Sequence, residues 1–364
     1  MDSTRPRIAS PRESPPGKAT PAEATPALRE VRRAVRSWIA QHHDGGPIAV
    51  AISGGADSTA LCAAVVAEAA GPVAAITIDH QLQDGSRGFS EAAARAATRL
   101  GCDSATIVPV TVAGAGGMEA AARRARYEAL DGARGSATVL LGHTLDDQAE
   151  TVLLGLARGS GARSISGMRP LAPPWGRPLL GIRRATTEAA CAELGIEPFQ
   201  DPHNVDGRFT RARLRQEALP LLESILGGGA AESLARTARL LQDDNDALDE
   251  MATDARMGAQ HGAVLLVENL QALPVAVRSR VVRGWLQDEG SGALASAHLD
   301  AIDQLVTEWR GQGAVAVPWP PGEAREGARL VVERRHGTLA LGIHERVPAH
   351  AACSAGNRRE ERGT

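Results

Sequence analysis

The sequence is poor in lysine and in aromatic residues. Lys18 is its only lysine, so 39 of its 40 basic residues are arginines. A mechanism that needs a buried catalytic lysine is therefore excluded unless Lys18, in a Pro- and Ser-rich stretch, supplies it. Aromatic residues make up 2% of the chain, so leucine, valine, isoleucine and alanine must fill the core.

Cysteines are few, and long hydrophobic runs are missing. The four cysteines lie far apart in the sequence, which argues against a CxxC redox pair, a zinc knuckle or a disulfide framework. No run of ~18 or more apolar residues is present, so the sequence predicts no membrane span. No apolar run follows the charged N-terminal residues, which argues against a secretory signal. We therefore expect a cytoplasmic protein.

Short apolar runs alternate with alanine-rich helical stretches in the first part of the chain. The runs lack the alternation of a half-exposed strand, so each predicts a strand buried on both faces. They occupy residues 47–52, 73–78, 106–110 and 137–141. This order predicts an α/β fold, a parallel sheet with helices on both faces. Polar residues follow several of the runs directly, at the carboxyl ends of strands where such sheets bind ligands.

The composition divides the chain into four parts. Its 364 residues leave room for two domains, since one domain takes ~100–200 residues. We expect a disordered tail, an α/β catalytic domain, a smaller mainly helical domain and a second tail, at residues 1–26, 28–225, 230–345 and 346–364. Three glycines at 227–229 mark the boundary between the domains, and 313–345 could form short strands.

A glycine-rich loop follows the first buried strand and opens a helix. Glycines let the backbone approach a ligand closely, and a helix N-terminus attracts negative charge. This combination predicts a phosphate site, although the loop matches neither the Walker pattern with its lysine nor the dinucleotide GxGxxG pattern. The predicted phosphate-binding residues are Ser53, Gly54, Gly55, Ala56, Asp57 and Ser58.

The loop sequence SGGADS resembles the pyrophosphate-binding loop of the N-type ATP pyrophosphatases, the PP-loop superfamily. The resemblance implies cleavage of ATP between its α and β phosphates and transfer of AMP to a substrate oxygen. It also implies a place for Asp57 near Mg²⁺ and the phosphates.

A second cluster of polar residues follows the fourth buried strand. His143, Asp147 and Glu150 are spaced so that a helix would place them on one face. Such a cluster could hold Mg²⁺ or transfer protons, and it could equally be the solvated start of a capped helix. The string GHTLDDQAETVLLGLARGSG, however, resembles a segment of the tRNA(Ile)-lysidine synthetase family, which belongs to the same superfamily.

Further matches to that family follow between residues 47 and 222. Arg123 and Arg126 lie in a segment similar to the family's ExxARxxRY helix, and Arg177 begins a match to RPLL. Residues 201–215 resemble DPSNxDxxFxRNRIR, with His203 in place of serine. Arginines in this stretch could bind RNA phosphates or form a solvated charge run; they are Arg208, Arg211, Arg213 and Arg215. Because the net charge is −3, RNA binding must come from such local patches.

The resemblance implies that the chain makes lysidine in two steps. ATP would adenylylate O2 of the wobble cytidine in the CAU anticodon of tRNA(Ile), with release of diphosphate. The amine of free L-lysine would then displace AMP, and the codon read would change from AUG to AUA. The implied cofactors are ATP and Mg²⁺, with Asp57 and Asp147 at the metal. The implied catalytic residues are Asp57, His143, Asp147, Arg123 and Arg126, and the implied tRNA contacts are Arg208, Arg211, Arg213 and Arg215.

Three other functions compete with this one. A tRNA thiolase would use the same ATP loop but needs catalytic cysteines, and none lies close to a motif. An amidotransferase-type ligase such as an NAD or GMP synthetase would lack the DDQxET segment. A non-catalytic tRNA- or nucleotide-binding module would not require Asp57, His143 and Asp147 together.

Overall fold

The computed structural model describes residues 25–81, 85–112, 118–159, 161–199, 207 and 210–345, apart from the side chains of 118 and 119. The chain forms two compact units, one up to residue 240 and the other from residue 241. Pro26 begins the first helix, and apart from Thr25 and Pro26 the two predicted tails lie outside the described residues. The predicted domain ranges, 28–225 and 230–345, remain predictions.

The first unit alternates strands with helices. Its strands are β1 (Ile48–Ala51), β2 (Val73–Asp79), β3 (Ser104–Pro109), β4 (Thr138–Leu140), β5 (Leu171–Ala172) and β6 (Trp175–Gly176). Its helices are α1 (Pro26–His42), α2 (Ala56–Glu68), α3 (Ser86–Leu100), α4 (Met118–Ala133), α5 (Leu145–Arg158), α6 (Ala162–Ile165), α7 (Arg184–Glu193), α8 (Thr210–Arg213) and α9 (Leu219–Leu226). A π-helical turn, Leu214–Ala218, joins α8 to α9.

The strands form one sheet in the order β3-β2-β1-β4-β6-β5. All neighbours pair in parallel except β5 and β6, which form a short antiparallel pair. The predicted parallel α/β sheet is therefore confirmed. The strand order reverses between β1 and β4, and the carboxyl ends of two strands at such a switch point form a ligand crevice.

Both faces of this sheet are covered, as the unbroken apolar runs predict. Ile48 and Val50 of β1 face a core that also contains Val35 of α1 and Leu61 of α2. Ala49, between them, faces a second core on the opposite side of the sheet. Because side chains alternate along a strand, a strand buried on both faces has no polar position.

The second unit combines helices with an antiparallel sheet. α10 (Ala230–Ala259) runs across the division between the units, and the helices α11 (Val267–Gln271), α12 (Val275–Asp288) and α13 (Ser296–Thr307) follow. The strands are β7 (Gln260–His261), β8 (Val264–Leu266), β9 (Val315–Ala316), β10 (Ala328–Arg335) and β11 (Thr338–Glu345), in the sheet order β7-β8-β11-β10-β9. The sequence predicted a mainly helical domain and short strands within 313–345, but it did not predict β7 and β8.

The local sequence explains the longest hairpin of that sheet. His336 and Gly337 connect β10 to β11, and both have positive φ, 46° and 79°. Two such residues form the tight turn whose twist matches that of paired strands. Trp285 of α12 is completely buried in the core beneath the sheet. No helix in the described part of the chain has the length and apolarity that a membrane crossing requires.

Candidate active site

The predicted phosphate loop, residues 53–58, connects the end of β1 to the start of α2. Gly54 has a φ of +84°, in the left-handed region that favours glycine. The Ser58 hydroxyl closes the loop, because it accepts from the Ser53 amide at 3.1 Å and donates to the Gly55 carbonyl at 3.0 Å. Gly55 is the N-cap of α2 and has no side chain to cap the first turn, which leaves the amides there to an anion.

The connection that follows β4 packs directly on this loop, since β1 and β4 are parallel neighbours. Gly142 permits the approach. A Cβ atom at this position would lie 2.9 Å from the Ser58 nitrogen and 3.0 Å from the carbonyl carbon of Asp57. Any other residue at position 142 would therefore displace the backbone of the phosphate loop.

Helix α5 begins with a reciprocal cap at this same edge. The amide and the hydroxyl of Thr144 both donate to Oδ2 of Asp147, at 2.8 Å and 2.9 Å. The Asp147 amide donates in return to the Thr144 hydroxyl. This capping box fixes the Asp147 carboxylate and leaves its other oxygen, Oδ1, for a different partner.

Arg184 supplies that partner and joins the two predicted acidic residues. Its Nη2 lies 2.8 Å from Oδ1 of Asp147, and its Nε lies 3.1 Å from Oδ2 of Asp57. The hydroxyl of Thr187, one turn further along α7, donates to Oδ1 of Asp57. The first turn of α7 therefore connects the phosphate loop to the start of α5.

Arg215 reaches Asp147 and a third acid, Glu150, from the π-helical turn. Its Nε lies 2.7 Å from Oε1 of Glu150, and its Nη2 lies 3.1 Å from Oδ1 of Asp147. Glu150 is fully buried. Arg215, which the sequence assigned to tRNA, thus lies against the acidic cluster formed by Asp57, Asp147 and Glu150.

The environment of each acid sets its proton affinity. Burial works to raise the pKa of Asp147, but the adjacent Arg184 guanidinium helps to outweigh it, and the pKa falls to about 2. Burial is the stronger effect for Asp57 and raises its pKa despite Arg184. Burial also raises the pKa of Glu150 despite Arg215. Asp147 therefore stays ionised, whereas Asp57 and Glu150 accept a proton more readily.

His143 and Arg126 form the neighbouring wall of the site. Burial and the positive charge of Arg126 lower the pKa of His143 to about 3, so this imidazole is neutral near pH 7. Its Nδ1 is buried without a hydrogen-bond partner among the described residues. Arg123 differs from Arg126: it is exposed and donates to the Tyr127 hydroxyl at 3.2 Å.

The arginines assigned to tRNA have different surroundings. Arg213 is exposed and pairs with Glu217 on the next turn, at 2.9 Å. Arg211 is half-buried, and Arg208 lies outside the described residues. Arg215, by contrast, lies against the acidic cluster.

The acidic cluster has the ligands that a magnesium ion prefers. Within the described residues, no group of three or more His, Cys, Asp or Glu side chains is arranged to hold a metal by itself. Mg²⁺, however, is commonly held by one or two carboxylates together with substrate phosphates. Asp57 and Asp147 contact one shared guanidinium beside the phosphate loop, so these two residues fit a metal shared with a nucleotide.

Sequence reasoning overlooked Arg184 and Thr187. They lie 127 and 130 residues beyond Asp57, and no local spacing connects them to it. One signal could have found Arg184: in a chain with a single lysine, an arginine must supply any cation that balances a cluster of acids.

Two protein families match the chain. The PP-loop domain matches residues 27–222, and the TilS substrate binding domain matches residues 265–339. The first match contains the phosphate loop and the whole acidic cluster, whereas the second lies within the second unit.

Curated relatives are similar over most of their length. The chain is 56% identical to a tRNA(Ile)-lysidine synthase from Nocardia farcinica, over 88% of this chain and 99% of the relative. It is 53% identical to a tRNA(Ile)-lysidine synthase from Mycobacterium tuberculosis, over 86% of this chain and 97% of the relative. Among solved structures, a U34-tRNA thiolase from Methanococcus maripaludis superposes with a TM-score of 0.51 at 18% identity, over 59% of this chain and 80% of that one. That likeness concerns the fold alone.

Proposed function

The chain belongs to the tRNA(Ile)-lysidine synthase family, ligases that form a C–N bond, and we propose how its site divides the two steps of that reaction. The observation that carries the proposal is the position of Arg184, which joins Asp57 of the phosphate loop to Asp147 of α5. A nucleotide on the loop would therefore lie beside a second group of polar side chains that can act on its α phosphate.

In the first step, O2 of the wobble cytidine of a CAU anticodon attacks the α phosphate of ATP. The bond between the α and β phosphates breaks, and diphosphate leaves while amides of the loop hold it. Arg184 lies next to the loop and stabilises the negative charge that develops on the phosphate. His143, which is neutral near pH 7, accepts or donates a hydrogen bond beside the base without adding charge.

Asp57 and Asp147 would hold Mg²⁺ when the nucleotide is bound, and the ion would screen the charge of the phosphates. Asp147 suits this role because its carboxylate is ionised and is oriented by the Thr144 cap.

In the second step, an amine of free L-lysine attacks C2 of the adenylylated cytidine, and AMP leaves. The amine must lose a proton, and a carboxylate with a raised pKa is a suitable acceptor. Burial raises the pKa of both Asp57 and Glu150. We assign proton acceptance to Glu150, because Asp57 belongs to the phosphate loop.

The tRNA would contact exposed basic residues near this site. Arg213 is the strongest candidate in the described residues, since most of its side chain is exposed and its partner Glu217 is equally accessible. The second unit, which contains the match to the substrate binding domain, would supply further contacts. Because ATP, tRNA and free lysine occur together in the cytoplasm, we expect the reaction to take place there.

One assay tests the proposal. Purified protein is incubated with ATP, Mg²⁺, radiolabelled lysine and a tRNA(Ile) transcript carrying the CAU anticodon, and diphosphate, AMP and bound lysine are measured. We expect lysine-dependent AMP release and label on the tRNA without any sulfur donor. Diphosphate release that does not depend on the tRNA, or an absence of bound label, would overturn the proposal.

The competing thiolase function is disfavoured by the described cysteines. Cys62, Cys102 and Cys191 are all buried. Burial raises the pKa of Cys191 to about 11, although this thiol lies 3.4 Å from the Ala56 carbonyl of the phosphate loop. A thiol with such a pKa contains almost no thiolate at neutral pH and is a poor sulfur carrier.

A further inference from the structure

Two phenylalanines are stacked beside the phosphate loop. The rings of Phe89, on α3, and Phe199, which follows α7, have centroids 4.0 Å apart and planes inclined by 28°. The whole chain has three phenylalanines, so a pair in one place is unusual for this protein. Phe89 is 40% exposed, and neither ring belongs to the buried cores of the unit. Core packing therefore does not explain the pair.

The backbone of Phe199 is bonded to the loop itself. Its amide donates to the Gly54 carbonyl at 2.9 Å. A Cβ atom at Gly54 would lie 3.4 Å from the Cβ of Ala93 and 3.6 Å from the Cβ of Phe199, so this glycine is enclosed between α3 and the Phe199 backbone. The contacts run from Phe89 to Phe199 and from Phe199 to Gly54.

This bond fixes the direction of an amide in the phosphate loop. The Gly54 carbonyl and the Gly55 amide belong to one planar trans peptide, so they point in opposite directions. A bond that holds the carbonyl toward Phe199 therefore turns the Gly55 N–H away from Phe199. Two consecutive glycines would otherwise rotate freely, because glycine has the widest range of backbone conformations.

We propose that Phe89 and Phe199 are positioning residues for ATP: their stacking holds the Phe199 amide on Gly54 and keeps the phosphate loop in its binding conformation. The inference rests on the proposed function, since it assumes that ATP binds this loop. It adds two residues, one on α3 and one beyond α7, to the machinery that orients the phosphates.

Titration calorimetry on the full chain tests the inference with two probes, ATP and inorganic tripolyphosphate. We expect Phe89→Ala and Phe199→Ala to lower the affinity for both ligands by the same factor, about tenfold. This is the loss expected when one oriented hydrogen bond is released. Phe89→Tyr and Phe199→Tyr keep a ring of the same shape and should restore both affinities. Trp309→Ala, which removes a 38% exposed aromatic of the second unit, is the matched control and should leave both unchanged.

Steady-state kinetics gives the second measurement. Both alanine variants should raise the KM for ATP by the same factor and leave the KM values for lysine and tRNA within twofold of wild type. A lower melting temperature with an unchanged affinity for ATP would mean that the pair is only structural, and it would overturn the inference.

Two other outcomes also overturn it. Weaker binding of ATP with unchanged binding of tripolyphosphate would mean that a ring stacks on adenine. A loss confined to tRNA would mean that the pair reads a base of the RNA. If the wild-type protein itself bound neither probe, the proposed function would fail, and that result is distinguishable because it precedes any substitution.

Discussion

Arg184 and Asp147 are joined by an ion pair of 2.8 Å, and the same guanidinium reaches Asp57 at 3.1 Å. The arginine begins α7, whereas the two acids lie at the starts of α5 and α2. Three helices are therefore connected at the edge of the sheet where β1 and β4 end. The charged side chains that hold the candidate site together are therefore the same ones that would act on a bound nucleotide.

Removal of this arginine should destabilise the first unit. Arg184→Ala leaves the largely buried carboxylates of Asp57 and Asp147 without their shared cation, and breaking a buried ion pair in this way costs about 3–5 kcal/mol. We expect the loss in free energy of unfolding to lie near the lower end of this range, since Arg215 still contacts Asp147. Urea denaturation followed by circular dichroism measures the free energy of unfolding.

The control for that experiment is Arg213→Ala. Arg213 also pairs with a carboxylate, that of Glu217, but both side chains are largely exposed. Pairs of this kind contribute little to stability. If the Arg184 and Arg213 substitutions lowered the free energy of unfolding equally, the ion pairs of Arg184 would not have the stabilising role assigned to them.

A single methyl group at position 142 should weaken nucleotide binding. In Gly142→Ala the new Cβ would meet backbone atoms of Ser58 and Asp57 at 2.9–3.1 Å, and backbone cannot rotate away as a side chain can. We expect the Kd for ATP to rise by at least about tenfold, a change of 1.4 kcal/mol. Gly132→Ala on α4 meets no atom within 4 Å and is the matched control. Unchanged ATP binding by Gly142→Ala would show that the two loops do not pack as described.

The buried imidazole of His143 should make stability depend on pH. Its pKa is about 3 in the folded protein and about 6.5 in the unfolded chain, so between these values the unfolded state binds the extra proton. The stability due to the neutral ring is complete above pH 6.5 and is lost as the pH falls toward 3. We expect this group to lower the free energy of unfolding by up to about 1.4 kcal/mol per pH unit in that window.

The comparison with His143→Asn isolates this effect. Burial raises the pKa of Asp57 and Glu150. The contribution of these two acids to the free energy of unfolding therefore changes in the opposite direction, since it is lost as the pH rises. Because both acids are present in the two proteins, the difference between the two pH profiles reports on His143. Parallel profiles between pH 4 and pH 7 would mean that His143 has the same pKa in the folded and unfolded states.

The sequence predicted the part of the site that is local in the chain. Apolar runs without alternation predicted the parallel sheet, and residues 53–58 and 143–150 follow strand ends directly. Contacts between distant residues could not be predicted in this way. Arg184 approaches Asp57 from 127 residues away, and the Sγ atoms of Cys62 and Cys102 lie 3.3 Å apart although 40 residues separate them. Such pairs depend on how helices pack, which spacing alone does not reveal.

The same limit explains Arg215. Arg208, Arg211 and Arg213 lie close to it in the sequence, and this basic pattern predicted contacts with tRNA, which stay a prediction. The contact of Arg215 with Glu150, made from the π-helical turn, is not visible in the spacing. Arg213, two residues earlier, points to the surface.

Replacement of the exposed Arg213 should therefore affect tRNA binding. Arg213→Ala should weaken tRNA binding and reduce the slope of log Kd against log salt by about 1, with ATP binding unchanged, because it removes one phosphate contact. Filter binding at several salt concentrations measures the slope. Arg36→Ala removes an equally exposed, carboxylate-paired arginine from α1 and is the matched control. The assignment fails if both variants change the slope equally.

Glu150 should separate the two steps of the reaction. Glu150→Gln keeps the size of the side chain and an oxygen that can accept from Arg215, but it removes the carboxylate that would take a proton from the lysine amine. We expect diphosphate release in a single turnover without lysine to stay within twofold of wild type. Transfer of lysine should fall by about 10²-fold, the usual contribution of a general base. Asp303→Asn, which alters an arginine-paired acid of the second unit, controls for the loss of such a pair. Equal losses in both steps would mean that Glu150 only maintains the structure of the site and that another group accepts the proton.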